Sequence, residues 1–236
     1  MLGLLLFKDG ELACSVAAGE AAPGQPLAPT SLLRFYSMTK PICSFAALML
    51  HEAGKLDLDA KVSDLLPCWD DAALRVLSSV GALGAVEPAE RPITVRMLLT
   101  HTSGLTYGFL SSSDAIARLY REKGLELPHP LSEHIEQVEP PPRSLYDWAA
   151  RMNGVPLASQ PGSKFEYGHS TDLLGAVLEH VCGEPLGELL SKHIFEPLKM
   201  QDTRFSLSPS SLNRLATCYR ATAPGEWRRA ADHTYA

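Results

Sequence analysis

The sequence predicts an α+β protein, an antiparallel hairpin followed by a large, mainly helical region. Three observations predict it. Two apolar, β-compatible runs, Leu2 to Phe7 and Leu12 to Ala17, flank Lys8-Asp9-Gly10-Glu11, and Asp-Gly is a strong hairpin-turn signal. After Pro41, apolar residues recur at helical spacing in Ile42, Phe45, Leu48, Met49 and Leu50. Helix punctuation then continues along the chain, with Thr94 and Ser144 as N-caps and Gly54 and Gly183 as stops.

Taken in order, the hairpin comes first and a helix opens around Pro41, whose lack of an N–H is tolerable only near a helix start. Asp57 to Leu66 reads as a linker and a short helix ending at Pro67. Leu74 to Leu77 and Gly84 to Glu87 read as a small extra hairpin before Pro92, and Thr94 caps the helix that closes at His101. From Tyr107 to Arg143 the pattern loosens. It contains Ser111-Ser112-Ser113, a helix from Asp114 to Glu122, and prolines at 128, 130, 140, 141 and 142. That stretch is too long for a passive connection and reads as a lid. Ser144-Leu145-Tyr146-Asp147 is a capping box for a helix that stops near Gly154. The next helix, Ser170 to Cys182, ends at Gly183, and Pro185 starts another that runs to about Phe195. No internal repeat or low-complexity segment stands out.

Composition bounds the function. An apolar fraction of 45% with 20% charged residues supplies a core for a soluble globular region, and a net charge of -6 argues against nucleic-acid binding. The short basic run Arg228-Arg229 does not change this. Cys14, Cys43, Cys68, Cys182 and Cys218 are odd in number and widely spaced, and read as free, mostly buried thiols of a reducing compartment. Leu2 to Phe7 is too short for a signal-peptide core and follows no basic segment, so the expected location is cytoplasmic, or periplasmic if the natural chain starts further upstream. No apolar stretch is long enough to span a membrane. The histidines form no His-Glu-x-x-His pair, and His129 and His134 lie in a Pro-rich loop, so no metal and no organic cofactor is expected.

The segment with the most chemistry is Ser37-Met38-Thr39-Lys40. A serine and a lysine three apart at a helix start share a face, and a lysine kept partly dry becomes a base that activates the hydroxyl. The helix N-terminus favours the negative charge that develops when a nucleophile attacks a carbonyl. On spacing alone the pair reads more simply as an N-cap serine and a solvated first-turn lysine.

Two further segments outweigh that reading. Leu98-Leu99-Thr100-His101-Thr102-Ser103-Gly104-Leu105 closes a helix, and Pro161-Gly162-Ser163-Lys164-Phe165-Glu166-Tyr167-Gly168-His169-Ser170 opens another. The three segments, in this order, resemble the serine β-lactamase-like hydrolases, a superfamily of class C β-lactamases, penicillin-binding DD-peptidases and carboxylesterases. Phe35-Tyr36-Ser37-Met38-Thr39-Lys40-Pro41 and Arg91-Pro92-Ile93-Thr94-Val95-Arg96 look most like its esterase-type bacterial branch. The likeness runs from about Leu4 to about Leu207.

The resemblance implies that Ser37 is the acylated nucleophile, Lys40 its partner base, and Tyr167 the tyrosine that shuttles protons across the cleft. A phenol works there only if a neighbouring positive charge, here Lys40, lowers its pKa. His169 stands where the β-lactamase branch usually has an asparagine and is expected at the substrate, which counts against antibiotic recognition more than against hydrolysis. Tyr107 and Phe109 are expected to line the acyl pocket. A rival Ser-His-Asp triad through His101 and Ser103 finds no Gly-x-Ser-x-Gly elbow, and His101 reads as a residue that ties its loop to the scaffold.

The resemblance also implies an α/β sandwich whose five-stranded antiparallel sheet carries a large helical insertion. Here only the N-terminal hairpin of that sheet is legible, and nothing between Gln201 and Ala236 matches the third motif, whose strand completes the oxyanion hole. Losing one such donor costs on the order of a hundredfold to a thousandfold in rate. The expected organisation is 1–55 for the first strands and nucleophile helix, 56–207 for a helical region with a lid-like loop at 106–143, and 208–236 for the start of a truncated C-terminal part. An exposed sheet edge and an apolar patch on the Ser37 helix follow, open to self-association or a complementing chain. The expected activity is hydrolysis of small esters or amides through an acyl-enzyme on Ser37. The alternatives are a β-lactamase or DD-peptidase acting on β-lactams or peptides, and a non-catalytic fragment that acts by binding.

Overall fold

A computed structural model of the chain describes residues 2–78, 85–110, 114–125, 139–223 and 225–229. Strands β1 (Leu2–Lys8) and β2 (Glu11–Ala18) come first, then the short β3 (Glu20–Ala22) and β4 (Gln25–Pro26). A 3-10 turn over Tyr36–Met38 runs into α1 (Thr39–Glu52), followed by α2 (Val62–Leu65), β5 (Arg75–Leu77), β6 (Val86–Pro88) and α3 (Val95–Leu99). Next come α4 (Asp114–Glu122), α5 (Leu145–Met152), α6 (Ser170–Cys182), α7 (Leu186–Leu190), β7 (Tyr219–Ala223) and β8 (Glu226–Arg229). The described residues group into two compact units: one from the two ends of the chain, up to Ser37 and from Gln201 onward, and one from Met38 to Met200.

In the terminal unit, β1 and β2 pair antiparallel with Leu2 opposite Ala18 and Lys8 opposite Glu11. The turn between them places Asp9 at φ 52° and Gly10 at φ 82°, the two left-handed residues that a type I′ hairpin requires. Successive strand residues point to opposite faces, yet Leu4, Leu5, Leu6 and Phe7 are all more than half exposed, so both faces of this hairpin are open and apolar. Two hairpins not foreseen in the sequence, β3 with β4 and β7 with β8, join it in this unit. Each pairing is a sheet of only two strands among the described residues. The two ends of the chain are held together by backbone. Leu32 N–H donates to Arg214 O at 2.8 Å, Ala216 N–H to Leu32 O at 2.9 Å, and Thr217 N–H to Ala21 O at 2.7 Å. A small buried cluster of Ala21, Leu27 and Ala216 is the apolar core of this unit.

The central unit is built around α6, whose Leu173, Leu174, Val177 and Leu178 are fully buried. A helix apolar on most sides belongs inside, and α6 touches α1, α2, α3, α5 and α7. Helix α1 buries the small residues Cys43, Ala46 and Ala47, while Phe45 and Leu48 on its other side stay about half exposed at 52% and 47%. The caps act as the sequence predicts. Thr94 Oγ1 accepts from Met97 N–H at 3.4 Å and Ser144 Oγ from Asp147 N–H at 3.1 Å, and Gly183 closes α6 at φ 68°. Strand β5 pairs with β6, Leu77 opposite Val86; the turn between them lies outside the described residues.

Within the stretch expected to form a lid, α4 has the predicted bounds and is anchored in the main core. Ile116 and Tyr120 are buried, and Tyr120 Oη donates to Thr106 O at 2.8 Å. Residues 126–138 of that stretch, with Pro128, His129, Pro130 and His134, lie outside the described residues, whereas Pro140, Pro141 and Pro142 lie within them. All five cysteines are free, and only Cys43 is fully buried. Among the described residues no helix is long and apolar enough to cross a membrane.

Candidate active site

Lys40 enters the site from the first turn of α1. Its Nζ donates to Tyr107 Oη at 2.9 Å and stands 4.8 Å from the centre of the Tyr167 ring, close enough for a cation–π contact. Two opposed effects set its charge: partial burial pulls the ammonium down, and the phenols of Tyr107 and Tyr167 together outweigh burial, so its pKa lies above the ordinary lysine value. The sequence-based expectation that dryness strips the proton from Lys40 does not describe this site. Tyr107 shifts in the same direction for other reasons. Burial pushes its phenol up, Asp172 adds to this, and the Lys40 hydrogen bond and charge oppose it. The pair is therefore an ammonium donating to a neutral phenol.

The loops that carry Tyr107 and Tyr167 are locked to each other through backbone. A Cβ at Gly168 would lie 2.4 Å from Thr106 Cα and 2.5 Å from Leu105 O, so only glycine permits this approach. His101, left-handed at φ 54°, accepts from Glu166 N–H at 2.7 Å through its carbonyl. Its ring lies against Phe165 and Tyr167, at centroid distances of 5.7 and 5.0 Å. Its Nδ1 is buried without a partner, and burial, then the Lys40 charge, hold its pKa below the ordinary 6.5 against a smaller pull from Asp172. His101 thus ties the loops together. The buried Ser103 Oγ and Ser170 Oγ hydrogen-bond at 2.8 Å and join the same two loops from below.

His169, expected from the sequence at the substrate, lies in the interior beside the site. It is 3% exposed, and its ring is boxed by Tyr107 at 4.5 Å, Trp148 at 5.3 Å and Tyr120 at 5.4 Å. Its Nδ1 bonds Asp172 Oδ2 at 3.1 Å. Phe109 stacks on Tyr107, centroids 5.1 Å apart and nearly parallel at 12°, and is itself 55% exposed. The sequence reading assigned no role to Asp172, Tyr120 or Trp148. The one signal for Asp172 was its position three residues after His169 at a helix start.

Ser37 is exposed and lies in the 3-10 turn that leads into α1, at the last residue of the terminal unit. The N-cap position of α1 falls on Met38, one residue after Ser37. Tyr36, immediately before Ser37, adopts φ 46°, an uncommon conformation for a bulky residue and one that clusters at functional sites. Among the described residues no group of three or more His, Cys, Asp or Glu is arranged to hold a metal ion.

Residues 2–235 match the family model Beta-lactamase, and the chain belongs to that family. It is 35% identical over 203 residues to a lovastatin esterase of Penicillium rubens, covering 84% of this chain and 46% of that protein. It is 31% identical over 205 residues to Esterase EstB of Burkholderia gladioli, covering 85% and 46%. Among solved structures it is similar to EstCE1, described as a hydrolase with promiscuous acyltransferase activity, at a TM-score of 0.76 and 30% identity over 98% of this chain and 54% of that one. The fold is thus that of the β-lactamase family, and the two curated relatives are named as esterases. The chain spans just under half the length of the curated relatives it matches.

Proposed function

We propose that this chain carries the nucleophile and proton-handling residues of a serine esterase that cleaves small esters or amides through an acyl-enzyme on Ser37. The observation that carries the reading is the Lys40 ammonium set between the Tyr107 hydroxyl, at 2.9 Å, and the Tyr167 ring, three residues after an exposed serine. A lysine on the first turn of a helix is ordinarily solvated. One held by two phenols is built for proton chemistry.

In this reading Ser37 Oγ attacks the substrate carbonyl and its proton passes to Tyr167, whose phenolate form the adjacent Lys40 ammonium stabilises. The tetrahedral intermediate collapses, Tyr167 returns the proton to the departing alkoxide or amine, and the acyl group stays on Ser37. Water then repeats the sequence, with Tyr167 as base, and frees the acid. Lys40 acts as fixed positive charge, because its raised pKa keeps it an ammonium at neutral pH. The names of the relatives, a lovastatin esterase and Esterase EstB, support an ester as the substrate in this reading.

The test is intact-mass spectrometry after exposure to a fluorophosphonate, with Ser37→Ala alongside. A single adduct abolished by the substitution is the expected result. No adduct on folded protein would replace this reading with that of a family member that acts by binding.

A further inference from the structure

The sequence places Tyr107 and His169 at the substrate; in the structure both belong to a cluster of rings beside Lys40. The Tyr107 ring is fixed on three sides, by Phe109 stacked at 5.1 Å, His169 edge-on at 4.5 Å and Tyr167 edge-on at 5.7 Å. Its hydroxyl is thereby fixed too, 2.9 Å from Lys40 Nζ. His169 is almost fully buried and held by Asp172 through Nδ1, and its carbonyl also accepts from Asp172 N–H at 3.1 Å. A buried histidine held at both its ring and its backbone carbonyl by the first turn of α6 is fixed in place, and its ring meets Tyr107 edge-on at 4.5 Å.

We infer that Tyr107 is a positioning residue for Lys40, and that His169 with Asp172 is the support that holds Tyr107 in place. The inference rests on the reading of Lys40 as part of the proton machinery. It assigns the ammonium's location and protonation to a second phenol, distinct from Tyr167, and it removes Tyr107 and His169 from the acyl pocket. A wall of an acyl pocket presents a ring to the ligand, whereas Tyr107 presents its polar atom to the lysine and its faces and edges to neighbouring rings. The order of support runs from Asp172 to His169 to Tyr107 to Lys40, so a change at the buried end is felt at the ammonium.

The titration of Lys40 tests this without requiring any turnover. The titratable groups that feel or set its charge are Tyr107 and Tyr167 from the two loops, His101 after α3 and Cys43 on its own helix, while Asp172 from α6 acts on Tyr107, His101 and Cys43. Side-chain NMR of ε-13C-labelled lysine, with the Lys40 signal assigned by Lys40→Arg, reads its midpoint directly. Tyr107→Phe keeps the ring and its stacking and removes only the hydroxyl. The expected result is a Lys40 midpoint at lower pH, with fluorophosphonate labelling of Ser37 slowed about tenfold to a hundredfold. His169→Phe keeps a ring in the box and removes the Asp172 bond; it moves the midpoint in the same direction by less. An unchanged Lys40 midpoint in folded Tyr107→Phe overturns the inference, whether or not Ser37 is labelled. An unlabelled Ser37 in a wild-type protein whose Lys40 midpoint does respond to Tyr107→Phe instead overturns the esterase reading and leaves this one standing.

Discussion

Lys40 and His101 show how one ammonium organises the charges around it. The phenols that raise Lys40 keep it positive, and that charge, second to burial, holds His101 neutral. The consequence for stability follows from the direction of the shift. The folded pKa of His101 lies below the unfolded value of about 6.5, so the unfolded chain binds more protons as the pH falls through that range. The contribution is present above the unfolded pKa and is lost as the pH drops towards the folded one. His101→Asn removes the titration and keeps a residue that tolerates the left-handed backbone. Urea midpoints measured at about pH 7.5 and about pH 5.5 are expected to fall more steeply for the wild type than for this variant, and equal slopes would show that His101 is not what titrates.

At the scale of elements, the site depends on two loops pressed together so closely that backbone meets backbone. Glycine at 168 is a packing requirement and not a turn requirement, because the obstacle to a Cβ is the main chain of Leu105 and Thr106. Main chain at 2.4 Å cannot step aside as the end of a flexible side chain can. Gly168→Ala is expected to destabilise the protein by about 3 kcal/mol, or to part the loops and carry Tyr167 away from Lys40. Denaturant unfolding reads the first result, and loss of Ser37 labelling in a protein that still unfolds cooperatively reads the second. A variant with wild-type stability and labelling would mean that the loops have room to spare. The helix caps, by contrast, are ordinary local chemistry, which is why Thr94, Ser144 and Gly183 were legible from their neighbours alone.

For the whole molecule, the two units differ in how much apolar surface they bury. The central unit encloses a large core around α6, whereas the terminal unit buries only a small cluster of Ala21, Leu27 and Ala216, with Leu32 also buried, and leaves Leu4, Leu5, Leu6 and Phe7 open. A hairpin with exposed apolar faces that forms, among the described residues, a sheet of only two strands is a template for association. Light scattering on the purified chain is expected to show self-association that rises with concentration. The double substitution Leu5→Lys with Phe7→Lys should lower it while changing stability by no more than about 0.5 kcal/mol for each exposed site. A monodisperse monomer in both proteins would sink this prediction.

Local signals were enough to identify the hairpin turn, the caps, the bounds of α4 and α6, and the three ordered motifs with their serine, lysine and tyrosine. The turn, the caps and the helix bounds are decided within a few residues by backbone preference, capping or hydrophobic period, whereas the three motifs were legible through their resemblance to a known family. The short strands β3, β4, β7 and β8 were not legible, because two to five residues carry too little alternation to stand out and the terminal unit joins the two ends of the chain. The charge of Lys40 and the placement of Tyr107 and His169 were not legible either. Whether Lys40 keeps its proton depends on phenols 67 residues away in the case of Tyr107, and on loops that Gly168 and His101 bring together. Sequence alone determined which groups are available for the chemistry. Only the tertiary structure decided which hydroxyl faces the ammonium and which imidazole is buried behind it, because burial and distance set those interactions and neither is a property of neighbouring residues in the chain.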